Sequence, residues 1–210
     1  MSFLRSAAPP PPNQEAARIS WRRLLLAAAP TSAAVAVMFA LMADGVLAAS
    51  FAVSGDSFKI SADRLEGKDF QQFPGADGDV KGRRHPVAVS AIGSAEIRNM
   101  CQSVQVGLPL GKVTMRITAG RGERPVTARA LVVDPEQQAG DTVFTDFQAG
   151  RDASTLTEVP GKAGPAGVFG QQADTVRITG LRQVAWATTA GTFRLPGLRL
   201  RFGGSGLECF

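Results

Sequence analysis

The chain has 210 residues, of which 44% are hydrophobic and 20% are charged, a size and composition that fit one domain with a short appendage. Its formal net charge is +5, but from Ala49 onward there are 19 basic and 16 acidic residues, spread mostly one at a time along the chain. Nucleic-acid binding normally needs a clustered basic face with interleaved aromatic side chains. We therefore expect no nucleic-acid partner.

The first 49 residues read as an export leader. Residues 1–20 are polar and proline-rich and are predicted to be disordered, whereas residues 21–49 begin with Trp21-Arg22-Arg23 and continue with an uncharged apolar run over 24–43. The small residues at 46–50 are typical of a signal-peptide cleavage site after Ala48 or Ala49. The run is also long enough to span a bilayer, so a retained anchor with membrane contact through residues 24–43 is the alternative. Both interpretations make residues 50–210 an extracellular or cell-surface domain.

Alternating hydrophobicity dominates residues 50–210 and predicts a single exported β domain. The segments 113–119 and 126–130 place apolar and polar side chains on opposite faces, and the stretch 120–125 between them reads as a turn, so the pair is predicted to form a hairpin. Shorter segments follow the same pattern at 87–89, 95–97, 176–178, 184–186, 193–195 and 198–202.

Several of these segments contain a phase slip of one residue, as at Gly180 and at Pro196-Gly197. One extra residue in a strand is a β-bulge, which bends the sheet and restores the buried face. The predicted fold is therefore all-β, a curled antiparallel sheet in the form of a sandwich or an open barrel, preceded by the N-terminal signal or transmembrane helix. A β-solenoid, in which each slip marks a corner, is the alternative.

Two glycine-rich stretches, 74–86 and 160–170, are predicted to be surface loops. A short helical turn is predicted at 152–156, with Asp152 as its cap.

The two cysteines, Cys101 and Cys209, both lie in the exported part. An even number of cysteines in an oxidising compartment favours a disulfide, which here would tie the C-terminus to the first third of the domain. Two free buried thiols are the alternative.

A search for catalytic and metal-binding patterns finds none that is complete. His85 is the single histidine, and because no Gly-x-Ser-x-Gly elbow accompanies it, we expect it to point into solvent from a mobile loop. One histidine and two distant cysteines cannot form a structural zinc site, and the run 77–79 lacks the remaining ligands of a calcium loop. We therefore expect no catalytic residue, no metal site and no cofactor.

Trp186 is the single tryptophan of the exported part. One interpretation is a core residue whose indole N–H bonds to the backbone. The other is a ligand-facing residue in a β cavity lined by Trp186, Phe193 and Val176, which would suit an apolar ligand.

Seven runs carry a family resemblance: 49–55 (ASFAVSG), 85–90 (HPVAVS), 101–103 (CQS), 152–156 (DASTL), 169–174 (FGQQAD), 186–193 (WATTAGTF) and the terminal ECF. Over residues 48–210 the chain resembles a family of uncharacterised secreted actinobacterial proteins whose members are often labelled cholesterol esterase. The resemblance implies export, a single domain and a role at the cell envelope. It supplies no catalytic residues.

The sequence thus predicts an exported domain that acts by binding an apolar ligand such as a lipid, or by surface assembly. A lipid- or sterol-ester hydrolase, as the label of the resembling family implies, is the alternative function. Self-association through sheet edges is a third hypothesis.

Overall fold

A computed structural model describes residues 54–109 and 111–210, so the predictions for the leader lie outside the described residues. The described part is all-β, as predicted, and its two short 3₁₀ helices are Ala153–Thr155 and Ser205–Leu207. Over these ranges no helix has the length and apolar character needed to cross a membrane. The strands are β1 (Phe58–Gly78), β2 (Arg84–Arg98), β3 (Met100–Leu108), β4 (Gly111–Ala119), β5 (Val126–Thr145), β6 (Gln148–Asp152), β7 (Phe169–Thr189), β8 (Thr192–Arg194) and β9 (Arg199–Gly203).

Four long strands close into a ring. β1 pairs with β2 along one edge and with β7 along the other, and β5 pairs with both β2 and β7. Every one of these pairs is antiparallel. The predicted curled antiparallel sheet is therefore confirmed. The β-solenoid alternative is wrong, because the β-helix form of a solenoid stacks its strands in parallel.

The inner face of the ring holds the hydrophobic core. Because side chains alternate between the two faces of a strand, each long strand sends every second residue inward. Leu131 of β5 and Leu181 of β7 are 2% and 1% exposed. They pack in one cluster with residues from the other two strands, among them Leu65, Phe70, Ile92 and Ile97.

The predicted bulge at Gly180 is present in β7. Gly180 has a φ of 64°, and the register of β5 against β7 shifts between Ala139 and Asp141 on the facing strand. β7 contains one extra residue relative to β5 at this point, which bends β7 and returns Leu181 to the interior. At Pro196-Gly197, in contrast, the chain turns between β8 and β9 rather than bulging within one strand.

We call β3, β4 and β9 the flap, because they extend the sheet beyond the ring in the order β1-β3-β4-β9. The predicted hairpin between segments 113–119 and 126–130 is wrong, since β4 pairs with β3 and β9 while β5 pairs with ring strands. Gly120 explains the error. Its φ is 73°, its N–H donates to the Pro196 carbonyl, and a side chain there would lie 2.9 Å from the Ile97 carbonyl oxygen. Only glycine fits this close approach, which redirects the chain from the flap into the ring.

One of the two predicted loops is a hairpin. The prediction of a loop over 74–86 is wrong, because β1 continues to Gly78 and β2 begins at Arg84, which leaves only a tight turn between them. The stretch 160–170 does lie mostly outside the strands, ahead of β7. It covers the fully buried side chain of Gln71, which donates to the carbonyl of Lys162 and accepts from the N–H of Val159. The short helical turn is present as predicted, and the Asp152 carboxylate accepts from the Ser154 N–H at 2.9 Å.

Candidate functional site

The turn between β1 and β2 is organised by one carboxylate. The side chain of Asp79 is fully buried and accepts hydrogen bonds from the backbone N–H groups of Lys81 and Arg83 and from Nε of Arg83, at 2.6 to 2.9 Å. Nε2 of His85 lies 3.3 Å from the same carboxylate. Burial alone would raise the pKa of Asp79, but these hydrogen bonds outweigh it and hold the pKa well below its usual value.

His85 lies in β2 and not in a mobile loop, so the prediction that it points into solvent is wrong. Its side chain is 15% exposed, and its ring stacks on that of Trp186 with centroids 3.5 Å apart and planes 18° apart. The indole N–H of Trp186 donates to Oε2 of Glu136 at 2.8 Å. The hairpin tip is therefore held against the outer surface of β5 and β7 by an aromatic stack.

Two further carboxylates lie near this stack with buried oxygens that lack a partner. Oδ2 of Asp77, Oδ1 of Asp134 and Oγ1 of Thr188 are buried and have no hydrogen-bond partner among the described residues. Burial raises the pKa of Asp77, and the nearby His85 ring opposes the rise. Burial and the negative charge of Asp77 raise the pKa of Asp134 to about 7. Ionisation of both carboxyl groups at once is therefore unfavourable.

We call Asp77, Asp79, His85, Asp134 and Trp186 the hairpin cluster. In the described part of the chain, no serine hydroxyl is among the hydrogen-bond partners of His85. Nor do the described residues contain a group of three or more histidine, cysteine or acidic side chains arranged to hold a metal ion. The cluster is suited to hold a proton, because the pKa of Asp134 is raised to about 7, and the hydrogen bonds of Asp79 fasten the hairpin tip.

The structure does not bring the three predicted ligand-facing residues together. Val176 is 2% exposed and belongs to the core, and Phe193 packs against the edge of that core. Trp186 is half-buried on the opposite, outer face of β7, where it contacts His85. Neither interpretation of Trp186 describes its position, since its indole N–H bonds to a carboxylate rather than to the backbone.

The predicted disulfide is present between Cys101 of β3 and Cys209, whose Cα atoms are 5.8 Å apart. The backbone N–H of Cys209 also donates to Oγ of Ser103 at 3.1 Å. Lys59 contacts the same segment through Oε1 of Glu208 at 2.8 Å. The C-terminal segment therefore lies over one face of the flap.

The other face of the flap is apolar. The strand register places Val104, Met115 and Phe202 in one row across the three strands, and it places Ile117 opposite Leu200 in the next. Val106 and Val113 form a third pair on the same face. Several of these side chains are exposed to solvent.

Three side chains of this face are exposed, and the others are half-buried. Phe202 is 66% exposed, Leu200 48% and Val106 41%. Clustered apolar exposure of this kind is typical of a contact surface, whereas single exposed apolar residues are ordinary. We call the surface formed by Val104, Val106, Val113, Met115, Ile117, Leu200 and Phe202 the apolar face.

Comparison with known families gives one match, to a family of unknown function whose model covers residues 54–210. The chain belongs to this family, DUF6230. No curated protein and no solved structure matches the chain. The region that matches DUF6230 contains all nine described strands, the disulfide, the hairpin cluster and the apolar face.

No sequence pattern marked Asp134 or the exposed apolar residues as parts of a site, and Asp77 stood out only within an incomplete calcium loop. The available signal for the apolar face was the alternation of 113–119 and 198–202, which marked an apolar stripe without showing what covers it. The hairpin cluster had no local signal, because His85 and Trp186 are 101 positions apart.

Proposed function

We propose that this chain is an exported cell-surface domain that binds a lipid surface through the apolar face of the flap, and that it acts by binding rather than by catalysis. The exposed apolar face carries the proposal, because burying such side chains against lipid removes apolar area from water. A fully buried leucine or phenylalanine contributes about 1.5 to 3 kcal/mol.

The point at which the chain enters the domain supports a membrane as the partner. β1 begins at Phe58, and Phe58 pairs with Val104 of the flap. The uncharged run of the leader ends at Ala43, 15 positions before Phe58. A fully extended segment of that length reaches at most about 50 Å. A leader retained in a bilayer would therefore tether the domain to the membrane.

The charges on β9 favour lipid over a second copy of the chain. β9 is the last strand of the sheet path, and among the described residues it pairs with β4 alone. Its exposed Arg199 and Arg201 discourage edge-to-edge pairing between like-charged copies. Arg199 and Arg201 alternate with Leu200 and Phe202, so they lie on the opposite face of the flap and leave the apolar face itself uncharged.

Quenching by brominated lipids tests this proposal in the full-length protein reconstituted in vesicles. The variant Phe202→Trp places a tryptophan on the apolar face, and Val80→Trp places one at the hairpin tip, where Val80 is 69% exposed. Trp21 and Trp186 are unchanged in both variants. We expect brominated acyl chains to quench the Phe202→Trp variant about twofold more than the Val80→Trp variant, because acyl-chain contact requires burial of the probe.

Equal quenching of the two variants would contradict the proposal. Weak quenching of both, together with a dimer in analytical ultracentrifugation that the double variant Leu200→Ser/Phe202→Ser abolishes, would instead assign the apolar face to self-association.

The label of the resembling family makes ester hydrolysis the competing function. His85 is the single histidine of the chain. Its ring stacks on Trp186, and its Nε2 lies within hydrogen-bond distance of the Asp79 carboxylate. A serine hydrolase needs its base within about 3 Å of the serine hydroxyl.

We therefore expect that His85→Ala changes the hydrolysis of p-nitrophenyl and cholesteryl esters by less than about twofold. Arg84→Ala, at the exposed neighbouring position, is the control, and turnover lost in His85→Ala alone would make the protein a hydrolase.

A further inference from the structure

A band of charged and hydroxylated side chains crosses the outer face of the ring. In one row, the strand register places Lys68 of β1 opposite Ser94 of β2, which in turn is opposite Arg129 of β5. Thr175 of β7 and Thr192 of β8 extend this row at its two ends. The next row contains Arg177, Glu66, Glu96, Thr127 and Arg194 in the same strand order.

These two rows line one groove with a volume of about 950 Å³. Val143 and Thr145 of β5 also line it, beside β7. The volume is in the range of ligand-binding clefts. We call this surface the groove, and it shares no strand with the flap.

The groove contains more cations than its acidic residues neutralise. Arg177 donates to Oε1 of Glu66 at 2.9 Å, so that pair is satisfied. Among the described residues, Lys68, Arg129 and Arg194 have no ion pair. Glu96 is the second carboxylate of the lining, so the groove contains four basic and two acidic side chains. Lys68 and Arg129 lie two strands apart on the same row, a separation of about 10 Å between their backbones. Such an arrangement of like charges favours an anion that bridges them.

The lining also indicates the kind of molecule that would bind. Five hydroxyl groups lie between or beside the cations, from Ser94, Thr127, Thr145, Thr175 and Thr192. Hydroxyl side chains both donate and accept hydrogen bonds, as the hydroxyls of a sugar do. No aromatic side chain is among the described lining residues, so neutral sugar rings would find no surface to stack on. The charges likewise oppose an apolar ligand.

We propose that the groove binds an acidic polysaccharide, with Lys68, Arg129 and Arg194 contacting its anionic groups and the threonine and serine hydroxyls contacting its sugar hydroxyls. The anionic groups are uronate carboxylates or phosphodiesters, which offer the same acceptor chemistry to lysine and arginine. A linear chain crosses the strands along the rows, so that successive charged units meet successive cations. This site is independent of the lipid contact at the flap.

The test measures binding of fluorescent polymers to the full-length protein in detergent micelles. Polygalacturonate supplies carboxylates, phosphomannan supplies phosphodiesters, and dextran is the neutral comparison. We expect at least one charged glycan to bind and dextran not to bind. The double variant Lys68→Ala/Arg129→Ala should bind that glycan about tenfold more weakly, which corresponds to two surface ion contacts. The difference between the two charged polymers assigns the anionic group.

Lys81→Ala is the matched control, because Lys81 is exposed and lies in the turn between β1 and β2, outside the groove. It should leave the affinity unchanged within about twofold. Lys68 and Arg129 are both exposed, so unchanged thermal unfolding of the double variant confirms that its fold is intact. The proposal is overturned if neither charged glycan binds, if the double variant and the control weaken binding equally, or if a single-stranded oligonucleotide binds more tightly than both glycans.

Discussion

Replacing both cysteines, as Cys101→Ser/Cys209→Ser, should lower the free energy of unfolding by about 4 to 5 kcal/mol. The bond closes a loop across a sequence separation of 108 residues, and in the chain-entropy treatment a loop of that length restricts the unfolded chain by this amount. Urea unfolding of both proteins, followed by far-ultraviolet circular dichroism, gives the difference. The midpoint should move to lower urea by more than 1 M, given a typical slope for a domain of this size.

Lys59→Ala is the control for this experiment. It removes the half-buried ion pair to Glu208 and the hydrogen bond to the Phe210 carbonyl while leaving the disulfide in place. Noncovalent surface contacts of this kind contribute about 1 kcal/mol, so this variant should remain much closer to the unmodified protein than the serine variant does. If the serine variant lost no more than Lys59→Ala, the C-terminal segment would be held by its noncovalent contacts, and the disulfide would not be a main source of stability.

Asp134→Asn should stabilise the protein at pH 8 by about 2 kcal/mol and leave its stability unchanged at pH 4. Burial and the charge of Asp77 raise the pKa of Asp134 to about 7 in the folded protein, whereas 3.8 is the ordinary value. Folding therefore favours the protonated Asp134 carboxyl, and the unmodified protein has its full stability below about pH 4. The protein loses stability as the pH rises through 7, because the buried carboxyl then has to ionise.

The size of this effect follows from the pKa difference. Three pKa units correspond to about 4 kcal/mol, and we halve this figure because the carboxyl is partly open to screening by solvent. Urea unfolding of Asp134→Asn and of the unmodified protein at pH 4, 6 and 8 measures the change. Asp141→Asn, an exposed substitution on the same strand, should give a pH-independent difference below about 0.5 kcal/mol. A gain of the same size at all three pH values would contradict the proposed burial of charge.

The fold class could be read from the sequence because half-buried strands have a local signature. Segments 113–119, 176–178 and 198–202 alternate in the way that the structure shows, and the slip at Gly180 is a real bulge. Strand pairing has no such signature. β4 and β5 read as a hairpin because they flank a glycine-rich turn, yet contacts of Gly120 with Ile97 and Pro196, distant in sequence, send the two strands to different partners.

β1 is the largest element that the sequence pattern did not reveal. It contains charged residues on its outer face, and Asp69, with a φ of 59°, interrupts the alternation between Leu65 and Phe70. Its stability comes from partners on both edges, which no local pattern can show. The hairpin cluster could not be predicted for the same reason: its residues come from β1, β2, β5, β7 and the turn after β1, and they meet only when the ring closes.

The closure of the ring by β1 and β7 also sets the order in which the protein can acquire its structure. The residues that pair between these strands are 99 to 127 positions apart, so the first strand of the domain lacks its β7 partner until the last long strand has been made. Contacts of such long range slow folding, because the intervening chain must be ordered before the pairing stabilises it. A chain that crosses a membrane from its N-terminus would therefore emerge with β1 exposed along that edge, and it would complete its folding only after β7 has crossed. This dependence makes the interval between the emergence of β1 and the emergence of β7 the period in which the exposed edge is open to aggregation or to a chaperone.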